Sequence, residues 1–202
     1  MADASQPTLY TELDTVQIQG SIHPRLTYLW CYATSEPQRG EVALQGIRLT
    51  LNSAGQPVVW EVLTDESGKE LIFVAESLEA AARAEHGQPL PGRRYVIERE
   101  LEEAPKVVVA RVIDDGPMSM GPMVYLRAGT HSVNTVICRC MPAQAKTVAA
   151  ARTYHLSPAQ AAFSHSLVGR ARAQVRGQIA FWPGEKAGEK RLEQCLRLPA
   201  KF

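Results

Sequence analysis

Between residues 46 and 75 apolar and polar side chains alternate with a period of two, broken by two turn sequences. Ile47, Leu49 and Leu51 alternate with Arg48 and Thr50, and Val58, Trp60 and Val62 alternate after them. Successive side chains of a strand point to opposite faces, whereas the apolar positions of a helix recur every three or four residues. The pattern is therefore that of half-buried strands. Asn52-Ser53-Ala54-Gly55 and Asp65-Glu66-Ser67-Gly68 supply turn residues, each ending in a glycine that can take positive φ. Leu71 to Ala75 is apolar on both faces and reads as a more central strand. The spacing predicts a three-strand antiparallel meander over 46–75.

Other elements group around it. Residues 1–12 read as a polar, mobile start. Leu26 to Ala33 is rich in aromatic and β-branched residues and reads as a strand. A helix is predicted over 77–86, with Ser77 as its N-cap, Glu79 in the first turn, Gly87 as the stop and Pro89 just beyond. Strands follow near Arg94–Glu98 and Lys106–Ile113, then a Gly/Pro loop from Asp114 to Pro122. Two more strands are expected near Met123–Arg127 and Thr135–Met141, with a turn at Gly129. Helices are predicted over 143–151 and over 157–175, the latter with Ser157 as N-cap and Pro158 at the first helical position. The tail to Phe202 reads as an extended arm with one short helix, Glu189–Leu196. Strands come first and helices last, which predicts an α+β fold with a mainly antiparallel sheet body. The expected division is a body over 1–150 with one inserted helix, and a basic helical arm over 151–202.

Charge divides along the same lines. The 202 residues carry a net charge of +1. Residues 1–120 hold 10 Lys and Arg against 18 Asp and Glu, a net −8; residues 121–202 hold 12 against 3, a net +9. Such asymmetry points to docking of one part on the other, or on a partner. Arg170, Arg172 and Arg176, with Arg152 upstream and Trp182 beyond, form the candidate binding surface. Cations near a helix end also complement its dipole. Aromatic interleaving is sparse and the whole chain is close to neutral, so a nucleic-acid partner is not expected. A protein partner or a homo-oligomer is.

Sulfur is concentrated in one window. Met118, Met120, Met123, Cys138, Cys140 and Met141 fall within 24 residues that also hold His131. Thioethers and thiolates are the ligands soft metals select, Cu(I) above all. The Met118, Met120 and Met123 spacing resembles that of methionine-rich copper-binding stretches. On a strand, Cys138 and Cys140 project to one face with Cα atoms about 6.6 Å apart, which disfavours a bridge between them. Adaptable methionines packing beneath a loop explain the segment without a ligand, and that reading is preferred. Copper or zinc on Cys138, Cys140, Met118, Met120 and Met123 is the minority reading. A third is a nucleophilic thiol at Cys138 or Cys140, activated by His131 or Arg139. Cys31 reads as a small buried hydrophobe. Asp114 and Asp115 read as turn chemistry, and His86 as a cation at a helix C-terminus.

The phosphate-binding, dinucleotide, zinc-protease and serine-hydrolase signatures are missing. No window reaches the roughly 18 consecutive apolar residues of a membrane helix, and the start lacks the pattern of a secretory signal. The expectation is a cytoplasmic, non-catalytic protein that acts by binding or assembly.

Overall fold

The computed structural model of the chain describes residues 8–33, 42–62, 70–92, 95–99, 107–115, 123–128, 132–137, 155–159, 161 and 191–202. Nine strands and two helices are formed among them: β1 (Thr8–Ile18), β2 (Ser21–Ala33), β3 (Val42–Leu51), β4 (Pro57–Val62), β5 (Glu70–Ala75), α1 (Glu76–His86), β6 (Val107–Ile113), β7 (Met123–Leu126), β8 (Val133–Ile137), β9 (His155–Pro158) and α2 (Arg191–Cys195).

The expected meander is there, extended by two strands at its start. β1 to β5 pair consecutively and antiparallel. The turn after β3 forms as its sequence dictates. The Asn52 side-chain oxygen accepts the Ala54 and Gln56 N–H groups at 3.0 and 2.8 Å, and Gly55 takes φ of 74°. The β1–β2 turn uses Gln19 and Gly20, both with positive φ, the two-residue hairpin geometry that matches strand twist.

The sheet is antiparallel through its centre, as expected of the body, but it is mixed and not antiparallel throughout. Its order is β6-β5-β4-β3-β2-β1-β9, and both edge strands run parallel to their neighbours. α1 is the cause at one end. A helix between β5 and β6 returns the chain to its starting side, so β6 can add only in parallel. β7 and β8 form a separate antiparallel hairpin.

Four further expectations need correction. Residues 8–12 belong to β1 and are not a mobile start. Ser77 does not cap α1: the N-cap is Ala75, and the Ser77 N–H donates to the Asp115 carboxylate at 2.9 Å. Of the strand expected near Arg94–Glu98, the described part, Tyr95–Glu98, is not a strand. Tyr95, Val96 and Ile97 are buried in succession, with no alternation, and one bridge joins Glu98 to Leu196. Ser157 and Pro158 lie in β9, paired with Tyr10 and Thr11, and the described residues just beyond, Ala159 and Ala161, are helical, so the helix start predicted at Ser157 is placed too early. Residues 143–151, 160 and 162–175 lie outside the described residues, as do the expected turns at 65–68 and Gly129 and the loop over 116–122.

The core sits on both sides of the sheet centre. Ile47, Leu49, Trp60, Val62 and Phe73 fill one face; Val16, Ile18, Val59, Ile72 and Val74 lie on the other. Leu78 and Ala82 of α1, Val96 and Ile97, and Leu192, Leu196 and Leu198 join the same cluster. The C-terminal end is held by its backbone. The Arg99 N–H donates to the Cys195 carbonyl at 3.1 Å, and the Ala200 N–H to the Glu85 carboxylate at 2.9 Å. Phe202 stacks on the His23 ring with centroids 4.3 Å apart.

Candidate functional site

Two neighbouring cross-strand rows define an unusual arrangement on β1 and β2. Leu13, Leu26, Leu49, Trp60 and Phe73 lie side by side on one face of β1 to β5. Leu49, Trp60 and Phe73 are buried, Leu26 is half-buried, and Leu13 is 70% exposed. The row one residue away points to the opposite face and reads Glu12, Thr27, Arg48, Glu61, Ile72. There Thr27, Arg48 and Glu61 are buried and Glu12 is half-buried. At these positions of β1 and β2 the usual rule of apolar inside and polar outside is reversed, although Val16, Ile18 and Leu29 are buried on the same face as Thr27.

The first face carries an apolar stripe. Leu9, Leu13 and Ile22 share it with Leu26, Tyr28 and Trp30, which are half-buried against the core, and Leu156 of β9 lies opposite Leu9. Ile22 is 73% exposed and Leu156 67%. The other described side chains on this face of β1, β2 and β9 are Thr11, Thr15, Gln17, Pro24 and Pro158. None carries a charge.

All formal charges of these strand segments point the other way, into an ionic ladder. Arg48 and Glu61 face each other and are doubly bonded, Nε to Oε2 at 2.9 Å and Nη2 to Oε1 at 2.8 Å. Burial alone would weaken the Arg48 charge, but the Glu61 carboxylate outweighs it and holds the guanidinium above its ordinary pKa, with Glu70 and Asp14 adding to the effect. Arg25 grips Asp14 in the same bidentate way, with Nε to Oδ1 at 2.9 Å. Burial raises the Glu12 carboxyl, and the neighbouring Asp14 charge raises it further against the pull of Arg25 and Arg48. Among the described residues, Glu12 Oε2 and Thr50 Oγ1 are buried without a hydrogen-bond partner.

Neither sheet edge is laid open for another strand. At β6, Glu98 accepts the Val109 N–H at 3.2 Å and the Tyr95 hydroxyl donates to the Ala110 carbonyl at 3.4 Å. At the other edge β9 is four residues long and ends in Pro158. Side-chain plugs, short length and proline are ways in which edges resist strand addition.

A cleft of roughly 410 Å³ lies between α1 and β6, lined by Glu76, Glu79, Ala80, Arg83, Tyr95, Arg111 and Val112. Its charges are balanced, and Glu79 is engaged through one oxygen. Oε1 accepts the Val96 N–H at 3.0 Å and Arg83 Nε at 3.1 Å, while Oε2 is buried without a hydrogen-bond partner among the described residues.

Most residues singled out by sequence fall outside the described ones. Cys138, Cys140, His131, Met118 and Met120 lie outside the described residues, as do Arg170, Arg172, Arg176 and Trp182. Met123 begins β7, half-buried and paired with Ile137. Asp115 serves the start of α1, a capping role. Cys31 is a free thiol, half-buried, and burial pushes it up to about 11. His86 lies in the last turn of α1, with Nε2 3.3 Å from the Leu198 carbonyl oxygen. Among the described residues no group of three or more His, Cys, Asp and Glu could hold a metal ion, and no helix is long and apolar enough to cross a membrane.

Sequence reasoning missed Leu13, Ile22 and Leu156. The available signal was the apolar set Leu9, Leu13, Ile22 and Leu26, separated by a Gln19-Gly20 turn. Its exposure carried no signal at all, since an apolar strand residue is ordinarily assigned to the core. Comparisons of the chain with protein-family models, with curated proteins and with solved structures found no match.

Proposed function

We propose that the protein acts by binding another protein, as a non-catalytic assembly component, and that the apolar stripe of β9, β1 and β2 is the surface it uses. One observation carries the reading. Leu13, Ile22 and Leu156 are each about two-thirds or more exposed on one uncharged face, while the charged residues of β1 and β2 are turned inward. Single exposed apolar residues are ordinary, but a contiguous apolar surface marks an interaction site. The protected edges favour face-to-face contact over strand addition. The charge division of the sequence supports a second element of the reading. In it the basic residues Arg170, Arg172 and Arg176, with Trp182, dock on an acidic surface.

The test compares the wild-type chain with Leu13→Ser/Ile22→Ser. Proteins retained by the first and lost by the second are identified, purified and mixed with the full chain. Co-elution with wild type and not with the double variant supports the reading. If no purified protein, including a second copy of the chain, associates through this face, the reading is wrong.

A further inference from the structure

We infer that the partner on this face is a second copy of the chain, packed sheet against sheet. The inference rests on the binding role given to the stripe above, and it names the occupant. The first argument is electrostatic. Leu9, Thr11, Leu13, Thr15, Gln17, Ile22, Pro24, Leu26, Tyr28, Trp30 and Leu156 include no ionisable acid or base that is charged at neutral pH. A surface that meets its own copy across a two-fold axis presents the same patch, and so the same net charge, from both sides. A stripe with a net charge would face its own sign there, and like charges brought together cost several kcal/mol. An uncharged stripe pays no such penalty, and it offers nothing for a strongly charged partner to grip.

The second argument is shape. Sheets pack face to face about 10 Å apart with their strands inclined by about 30°. This sheet already buries the same face over β3 to β5, through Ile47, Leu49, Trp60, Val62 and Phe73. The apolar surface therefore runs without interruption from a covered half into an open one. Closing a second copy over the open half completes a layer that the chain leaves unfinished.

The third argument is area. Leu9 to Gln17 spans about 27 Å of strand, β1 and β2 together are about 10 Å wide, and β9 adds a third strand along four residues only. The projected area is roughly 330 Å², within the size of patches that serve as binding sites and below the roughly 800 Å² per partner of a standard stable interface. The dimer is accordingly a weak one, with Kd on the order of 1–100 µM.

Sedimentation equilibrium of the full chain from about 1 to about 500 µM, bracketing that range, tests the inference. The expected result is a monomer–dimer equilibrium whose Kd changes less than about threefold between low and high salt, because no charge is engaged. Leu13→Ser/Ile22→Ser is expected to weaken the dimer at least about tenfold while its thermal midpoint stays near wild type. The midpoint is the folding control, since substitutions at exposed positions act little on stability. Should the double variant misfold, Ile22→Thr alone, a β-branched replacement at the most exposed position, serves in its place. A chain that stays monomeric throughout overturns the inference. So does a dimer that high salt dissolves, or one that the face variants leave intact. If the chain is monomeric but a different purified protein binds wild type and not the double variant, the self-association falls and the binding role stands. If neither occurs, both fall.

Discussion

Arg48 and Glu61 stand directly opposite each other on β3 and β4, and the carboxylate is wholly buried while accepting two hydrogen bonds from one guanidinium. A buried pair of this kind is expensive to desolvate and need add little net stability. It is nonetheless costly to break, because the survivor is left charged and unpaired. Glu61→Ala is expected to destabilise the fold by about 3–5 kcal/mol in urea denaturation. Replacing both residues together, as Arg48→Met/Glu61→Leu, is expected to cost much less than the single change. A double variant as unstable as Glu61→Ala would show that the pair itself, and not the orphaned charge, governs the effect.

Glu12 makes a prediction of opposite sign. Its carboxyl is raised by burial first and by Asp14 second, against Arg25 and Arg48, so the folded state holds its proton more tightly than the unfolded chain does. The resulting stabilisation is present below the unfolded value and is lost as pH rises through the raised folded value. Glu12→Gln, which keeps a neutral group there, is expected to be at least as stable as wild type at pH 7. That relative gain shrinks toward acid pH, where Glu12 is itself protonated. Thermal midpoints of both proteins from acid to neutral pH measure this. A Gln variant that is less stable at neutral pH and recovers in acid contradicts the assignment.

The Cys31 thiol, pushed up to about 11 by burial, holds very little thiolate at neutral pH. Thiolate is the nucleophile, so alkylation of Cys31 is expected to run at least about tenfold slower than that of a free model thiol with pKa near 8.5. Mass spectrometry of peptides after a timed iodoacetamide pulse reads the rate. Labelling as fast as the model thiol would mean that the site is neither as buried nor as apolar as its surroundings imply.

Asp115 is the acceptor that Ala75 cannot supply at the start of α1. Asp115→Ala is expected to cost about 1 kcal/mol, the usual worth of a cap. Asp115→Asn, which keeps an acceptor, should recover most of it. Equal losses in the two variants would assign the effect to charge at the helix N-terminus rather than to the hydrogen bond.

Where order along the chain is set by neighbouring residues, it is legible in the sequence. The alternation of Ile47, Leu49 and Leu51 with Arg48 and Thr50 is local. So are the Asn52 turn, the Gly87 stop of α1, and the β-branched run of β6. Each was expected close to where it occurs. Errors arose where a distant segment decides. Tyr95 to Ile97 looked like a strand because the residues are apolar and partly β-branched. Yet their backbone groups are claimed by Glu79 and by the C-terminal end, with the Val96 N–H on one and the Ile97 carbonyl on the other. Ser157-Pro158 has the local chemistry of a helix start but is held by β1, some 147 residues earlier in the chain.

The amino-acid sequence by itself determined the period-two strands, the Asn52 turn, one helix and the uneven charge, because each follows from side-chain alternation, glycine φ and composition. Only the tertiary structure decided which face of each strand is covered. Leu13 and Leu49 are both leucines flanked by polar residues, and they lie in one row of one sheet. One is 70% exposed and the other 2%. Alternation sorts side chains into two faces but says nothing of what packs on either. That depends on segments far apart in sequence, and here it leaves an apolar face open and turns a charged one inward.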